Sequence, residues 1–363
     1  MQTISQEEFL YALLESSSKS EIPATGLFEL TPLCNLDCKM CYVHLNDPSV
    51  KEQLLDGKQW ISIIKEAISG GMVSATLTGG EALTHPDFWA IYDCLVQAGV
   101  LVHVKSNGVL LNEENVERLK QYPPERIDVS LYGCDRESYI AVTGRDVFDI
   151  VDANIKSVIA AGLPLYIAIT PSKPLMPWLE RTLEYLKDLD VSGGVNLLLN
   201  EPREETGRVK SDFDLTIDEY LYVHQRKKEL FPKEAKLTEG QKLFREDMAK
   251  RPHVSERGLY CGAARTAFAV CWDGTMLPCP GFPKEIASAN VLQGGFVASW
   301  QKINRAVKNY SVPEKCHSCS YNTRCHYCPA QHGKCALRHE CDERVCEFGQ
   351  KYCDWLQESK KLR

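Results

Sequence analysis

The sequence predicts an α/β fold, a partial (β/α)6 barrel with a parallel sheet, followed by a small cysteine-rich C-terminal domain. Three observations predict it. Short apolar runs alternate with helix patterns six times between Thr25 and Asn200. The texture changes after Glu201, where a polar stretch gives way to short runs and turns. Eleven of the sixteen cysteines crowd between Cys261 and Cys353.

The six runs are Gly26–Leu30, Ser74–Leu77, Val100–Lys105, Arg126–Tyr132, Leu163–Ile169 and Val195–Leu199. Each is short and mostly rich in leucine or β-branched residues, as a buried parallel strand is. Between them, Trp60–Ser69 places Ile61, Ile64 and Ala67 on one side of a helix. Phe148–Ala161 places Ile150, Val151, Ile155, Val158 and Ile159 on a broad apolar face, with Gly162 as its C-cap. Strand–helix alternation reads as a parallel βα array. Six units are too few to close an eight-stranded barrel, so a partial barrel is expected, with its site at the C-terminal ends of the strands.

Beyond the polar stretch Glu201–Asp212, helices are expected at Ile217–Leu230 and Gly240–Lys250. Asp273-Gly274, between Thr266–Cys271 and Thr275–Leu277, reads as a hairpin turn. From Cys261 onward the chain has too few aliphatic residues for a large core, so metal sites must supply stability. The expected division is a helical extension over 1–25, the partial barrel over 26–230, and linker helices with the cysteine domain over 231–363.

Composition excludes several function classes. The 363 residues are 44% hydrophobic and 25% charged, with a net charge of −7. That leaves no basic footprint for nucleic acid. No apolar run approaches the roughly 20 residues of a membrane span. The N-terminus, Met1 to Lys19, is polar and helical in pattern and lacks a signal-peptide core, which predicts a cytoplasmic location. Sixteen cysteines in a reducing compartment point to zinc or iron–sulfur clusters rather than disulfides.

Cys34, Cys38 and Cys41 form a C-x3-C-x2-C motif on the loop directly after the first strand. Three thiolates can hold three irons of a 4Fe–4S cube and leave the fourth iron open. A zinc site would need a fourth ligand, and the closest histidine, His44, stands three residues beyond Cys41.

This motif, placed after a first strand, resembles the signature of the radical S-adenosylmethionine (SAM) superfamily. The resemblance implies that the open iron binds SAM. It also implies that one electron cleaves SAM to a 5′-deoxyadenosyl radical, which abstracts hydrogen from a substrate. Met40 stands where members often carry an aromatic residue, and Tyr42 follows the third cysteine as in many of them. Further motifs fall where that family places SAM contacts. Gly79, Gly80 and Glu81 follow the second strand; the glycines permit close approach of backbone, and Glu81 is expected to accept from the SAM ammonium. Ser106 and Asn107 end the third strand and Ser130 lies in the fourth, at the family's ribose-contacting positions. The alternatives are turn chemistry for Asn107-Gly108 and a satisfied strand hydroxyl for Ser130. Arg145 resembles the arginine that pairs with the SAM carboxylate, with a surface arginine as the alternative. Leu199 and Asn200 end the sixth run, where the family contacts adenine.

The second cysteine field runs Cys261-x12-Gly274-x4-Cys279, then Cys316-x2-Cys319-x5-Cys325-x2-Cys328, then Cys346. It resembles the SPASM extension, an auxiliary-cluster domain on radical SAM enzymes that mostly modify peptides and proteins. The Cys325–Cys328 spacing is one residue shorter than the family's. Carried over, Cys261, Cys279 and Cys328 bind one auxiliary 4Fe–4S cluster, and Cys316, Cys319, Cys325 and Cys346 bind a second, so one or two auxiliary clusters are expected. The first set lacks a fourth ligand, because His253–Tyr260 contains no cysteine. Either Cys271 fills the gap or the site stays open to a substrate thiolate. Cys335, Cys341 and Cys353 are alternative ligands, Cys94 and Cys134 read as buried structural thiols, and a zinc ribbon is the alternative for Cys316–Cys328.

The resemblance therefore implies a radical SAM enzyme acting on a ribosomally made peptide, forming a crosslink, a thioether or an epimer. A formylglycine-generating maturase would be expected to carry aspartate just after Cys279, where Pro280-Gly281 stands. Such peptide maturases often have an N-terminal peptide-recognition domain, and only a short segment precedes the first strand here. The peptide is thus expected to be presented by a separate protein or to dock directly. Flavodoxin or ferredoxin is the expected electron donor. A small-molecule substrate, a sugar or cofactor precursor, is the second reading, and a non-enzymatic iron–sulfur electron carrier the third.

Overall fold

A computed structural model describes residues 12–13, 16–45, 47–196, 199–203, 206–231, 259, 261–321 and 327–361. The expected helix at Gly240–Lys250, most of the N-terminal helix and Cys325 lie outside the described residues.

Six βα units build the first half: β1 (Thr25–Glu29), α1 (Gly57–Ser69), β2 (Ser74–Thr78), α2 (Phe88–Gln97), β3 (Leu101–Ser106), α3 (Glu113–Gln121), β4 (Arg126–Leu131), α4 (Arg136–Thr143), α5 (Phe148–Ala160), β5 (Leu165–Ile169), α6 (Leu179–Asp188), β6 (Ser192–Val195) and α7 (Ile217–Leu230). The second half holds β7 (Ala267–Val270), β8 (Thr275–Leu277), β9 (Ala289–Asn290), α8 (Val291–Lys308), α9 (Glu314–His317), α10 (Pro329–Leu337) and α11 (Glu343–Lys361). One sheet runs β6-β5-β4-β3-β2-β1-β7-β8-β9. Strands β1 to β6 pair in parallel, in sequence order, so every C-terminal end opens on one rim.

Beyond β1 the sheet does not stop. β7 pairs in parallel with β1, Phe28 opposite Val270, and the β7–β8 hairpin turns at Asp273-Gly274. Gly274 has φ +81°, a conformation that favours glycine. A run of edge-to-face aromatic contacts crosses between the halves at Phe28–Phe268, 5.8 Å, flanked by Phe28–Trp60 at 6.0 Å and Phe268–Phe296 at 4.9 Å. Across them the Glu66 carboxylate accepts the Phe296 N–H at 2.8 Å.

Local signals set most helix ends. Asp56 and Gln59 form a reciprocal capping box at the start of α1. Its buried face is Trp60, Ile63, Ile64 and Ala67, so the apolar stripe sits to one side of the expected Ile61. On α5, Val151, Ile155 and Val158 are buried, while Ile150 is 50% exposed at the edge of the stripe.

The sixth strand is the largest departure. β6 spans Ser192–Val195 rather than Val195–Leu199. Glycine pairs such as Gly193-Gly194 read as turns, but here neighbours leave no room for a side chain. A Cβ on Gly193 would lie 2.7 Å from Leu186 Cδ1 and 2.8 Å from the Ile167 carbonyl. Leu199 and Asn200 therefore lie beyond the strand instead of ending it.

Among the described residues, no helix is long and apolar enough to cross a membrane.

Candidate active site and auxiliary cysteine groups

The loop carrying Cys34, Cys38 and Cys41 leaves β1 at the rim and is held by backbone on both sides. Asp37 N–H donates to the Thr143 carbonyl at 2.9 Å and Lys39 N–H to Val142 at 3.1 Å. On the other side Gly80 N–H donates to the Thr31 carbonyl at 2.7 Å and Glu81 N–H to Leu33 at 3.0 Å. This explains the two glycines. A Cβ on Gly79 would lie 2.4 Å from the Thr31 carbonyl oxygen, and one on Gly80 2.4 Å from that of Leu33. What approaches them so closely is the cysteine loop itself. Gly80→Ala is accordingly expected to cost about 1–3 kcal/mol by overpacking against backbone and to displace the loop. An unchanged urea midpoint in the variant would refute this.

The three thiols face one another. The charges of Cys34 and Cys41 each bear on Cys38, and that of Cys41 bears on Cys34. Burial is the main cause that pushes the Cys34 thiol up to about 12, and it raises Cys38 and Cys41 as well. Thiols held so high bind as thiolates only to a group that supplies positive charge, such as iron. N–H groups already point at the sulfurs: Leu36 N–H to Cys34 Sγ at 3.4 Å and His44 N–H to Cys41 Sγ at 3.2 Å. Such donors tune a cluster's potential. Three convergent thiols with sulfur-directed donors fit an iron–sulfur cluster with one open iron.

Several expected SAM residues form one hydrogen-bonded unit beside this loop. Glu81 is 1% exposed and accepts from Asn107 N–H at 2.7 Å, Ser106 hydroxyl at 3.2 Å and Leu83 N–H at 3.2 Å. The Asn107 amide donates onward to Asn35 Oδ1 at 2.6 Å and Cys34 Sγ at 3.5 Å. Asn35 Nδ2 is buried without a partner, an orphan donor next to Cys34 that suits a polar cofactor group. Ser130 on β4 bonds Tyr132, whose phenol in turn bonds Cys38. Asn35 and Tyr132 did not emerge from the sequence. The available signal for Tyr132 was strand period: two residues after Ser130, it shares that residue's face. Arg145 is exposed, near enough to His44 for its charge to act there.

Burial raises the Glu81 carboxyl to about 7, against the N–H bonds that pull it down. The folded chain thus holds a proton on Glu81 between pH 4.5 and 7 that the unfolded chain releases. Stability from this group is full below pH 4.5 and falls as pH rises through 7, by roughly 3 kcal/mol in the cluster-free protein. Glu81→Gln is expected to flatten the urea midpoint across that window, and an unchanged slope would contradict it.

Tyr42 and Cys271 go elsewhere. The Tyr42 hydroxyl donates to Glu29 Oε1 at 3.3 Å, and the Arg203 guanidinium lies 5.8 Å from its ring centre. Glu29 is fully buried and takes Arg203 Nη2 at 2.7 and 3.0 Å. Arg203 Nη2 also reaches Cys271 Sγ at 3.5 Å and the Pro280 carbonyl at 3.4 Å. Cys271 is therefore occupied by the Glu29–Arg203 pair and packs against Ala269 and Leu277. Directly after β7, it faces Glu29, Arg203 and Asp273 rather than Cys261, Cys279 and Cys328.

Those three do come together: the charges of Cys328 and Cys261 bear on Cys279, and that of Cys261 on Cys328. Gly281 and Phe282 N–H groups bond Cys279 Sγ, and Gln331 and Ala330 N–H groups bond Cys328 Sγ. Asn200 sits against this group. A Cβ on Gly281 would meet Asn200 Oδ1 at 3.1 Å and Ala330 Cβ at 3.2 Å. A second group gathers Cys316, Cys319, Cys341 and Cys346. Among the described residues, no three histidine, cysteine or acidic side chains close tightly enough to hold a single metal ion.

Residues 28–186 match the Radical SAM superfamily. Over 321 residues the chain is 23% identical to the antilisterial bacteriocin subtilosin biosynthesis protein AlbA of Bacillus subtilis, covering 85% of this chain and 68% of that protein. It is 27% identical over 325 residues to the AdoMet-dependent heme synthase of Methanosarcina barkeri, covering 85% and 92%. The crystal structure of Streptococcus suis SuiB bound to precursor peptide SuiA superposes with a TM-score of 0.67 at 15% identity, covering 92% of this chain and 79% of that one. The superfamily's cofactors are SAM and a 4Fe–4S cluster, and they are this protein's; an electron carrier without catalysis is set aside. The parallel sheet with its three-cysteine rim loop and the matched residues agree: residues 28–186 of this chain carry a Radical SAM domain.

Proposed function

We propose that this enzyme acts on a ribosomally made peptide, installing a crosslink, a thioether or an epimer. The observation that carries the reading is the match to AlbA over most of this chain, joined by the fold shared with peptide-bound SuiB. In this reading Cys34, Cys38 and Cys41 hold the catalytic cluster. Glu81, Ser106, Asn107, Ser130 and Arg145 line the SAM side, with Gly79 and Gly80 shaping it. The bound cluster and SAM supply a 5′-deoxyadenosyl radical for hydrogen abstraction. The chain's own residues hold the cysteine loop against β2 and keep the Glu81 carboxyl dry. Cys261, Cys279 and Cys328 hold an auxiliary cluster with no fourth thiolate assigned among the described residues, leaving room for a substrate sulfur. A flavodoxin or ferredoxin supplies electrons in the cytoplasm, and the peptide either is presented by a separate protein or docks directly.

The test uses reconstituted, dithionite-reduced enzyme with SAM and a deuterated precursor peptide. Deuterium in the released 5′-deoxyadenosine and a mass change in the peptide are expected. A second reading, a small-molecule substrate such as a cofactor precursor, is favoured by the match to the heme synthase, which spans 92% of that protein. Deuterium transfer from a labelled porphyrin precursor, with none from peptides, would establish it instead.

A further inference from the structure

We propose that the Asn35 side-chain amide donates to the carboxylate of S-adenosylmethionine. The proposal rests on the reading that the cysteine loop faces SAM. Asn35 directly follows Cys34, and its Nδ2 is buried with no hydrogen-bond partner among the described residues. Asn107 fixes which way this amide points. Asn107 Oδ1 accepts the Val109 N–H at 3.0 Å, so its amide nitrogen faces the cysteine loop. That nitrogen donates to Asn35 Oδ1 at 2.6 Å and to Cys34 Sγ at 3.5 Å. Asn35 Oδ1 is therefore the acceptor of the pair, and turning the amide over would set donor against donor. The N–H groups of Asn35 are left for an acceptor that the described residues do not supply.

The chain holds this amide in place from both sides. Before it, Leu33 N–H donates to Thr31 Oγ1 at 3.1 Å. After it, Leu36 is buried in the core and Asp37 N–H donates to the Thr143 carbonyl at 2.9 Å. Asn107 is buried too, and its backbone N–H bonds the Glu81 carboxylate at 2.7 Å. Asn107 thus joins two groups of opposite character: the Glu81 acid through its backbone and the Asn35 amide through its side chain. A buried N–H without an acceptor costs its desolvation, so a bound acceptor is its natural complement. The chemistry of SAM selects which one. Its ammonium offers only donors, so it suits Glu81 and not the Asn35 amide. Its carboxylate is the one anion it carries, and a buried carboxylate takes several N–H donors. Amine and carboxylate are also the groups that suit an open iron, so that end of SAM lies nearest the cysteines. An orphan donor beside Cys34 accordingly meets the carboxylate rather than the ribose or the adenine.

The experiment measures SAM binding to the full chain, reconstituted anaerobically, by equilibrium dialysis with radiolabelled SAM. Parent, Asn35→Asp and Asn35→Ala are compared, with binding scored per cluster. The electron paramagnetic resonance spectrum of the reduced, SAM-free protein is recorded for each. Asn35→Asp keeps the oxygen that Asn107 bonds, so a merely structural asparagine would tolerate it, but it sets an anion where the N–H groups stood. Its dissociation constant for SAM is expected to rise about 10- to 100-fold, the loss of a hydrogen bond to a charged group. Asn35→Ala should weaken binding in the same direction, and the SAM-free spectra should match the parent's. Decarboxylated SAM, which lacks the acceptor, should bind parent and Asn35→Asp alike. Parental affinity for SAM in Asn35→Asp overturns the proposal, and a changed SAM-free spectrum beside it would give the amide to a cluster sulfide instead. Equal losses for SAM and decarboxylated SAM overturn it as well. A parent chain that binds no SAM would defeat the SAM reading itself, and the proposal with it.

Discussion

Replacing Cys34, Cys38 and Cys41 together by alanine is expected to abolish 5′-deoxyadenosine release. The assay is the reconstituted, dithionite-reduced protein given SAM. Iron should fall by about four per chain, one cluster's complement, while the auxiliary iron stays. The two readouts separate because the bonds that tie the loop to its neighbours run between backbone groups rather than through the thiols. Asp37 to Thr143, Lys39 to Val142 and Gly80 to Thr31 all survive the substitution. The C-terminal cysteine groups are held by other elements, α9, α10 and the turn before α11. Release above background in the triple variant would remove these cysteines from the chemistry.

Arg203→Ala is expected to be the most destabilising single substitution outside the cysteines. Glu29 is fully buried at the end of β1, and both its oxygens bond Arg203 Nη2. Removing the guanidinium strands a buried carboxylate, a change that typically costs about 3–5 kcal/mol. The Tyr42 hydroxyl alone cannot offset it. Replacing both partners with apolar residues, Glu29→Leu with Arg203→Met, should recover much of the loss, because it is the unpaired charge that is costly. Urea denaturation of the cluster-free chain reads both. If Arg203→Ala unfolds at the parent's midpoint, or the double variant is no better than the single, the ion pair is not what holds this corner. Arg203 has a second duty there. Its N–H donates to the Tyr42 carbonyl at 3.1 Å and its side chain reaches the Pro280 carbonyl. It therefore ties the end of the catalytic cysteine loop to the residue after Cys279.

How much of this was legible beforehand follows from the range of each signal. Strand–helix alternation and capping act over a few residues, so five of the six runs coincide with strands to within two residues at each end. Val195–Leu199 was misplaced because Ser192, Gly193 and Gly194 carry no apolar or β-branched signal, and it is the parallel pairing with β5 that makes them a strand. The convergence of Cys34, Cys38 and Cys41 was legible because three thiols on one loop need only local spacing. Glu81 and Asn107 were legible as motifs, but their mutual bond, which joins the ends of β2 and β3, was not.

The sequence by itself determined the βα array and the rim position of the three-cysteine loop, since each rests on short-range pattern. The tertiary structure alone decided the rest. It seated β7 against β1, paired Glu29 with Arg203 across 174 residues, took Cys271 into that pair, and set Cys341 beside Cys316 across 25. The physical reason is common to all four. Burial leaves a charge or thiol to be satisfied by whatever the fold brings within hydrogen-bond reach, and spacing along the chain carries no record of that partner.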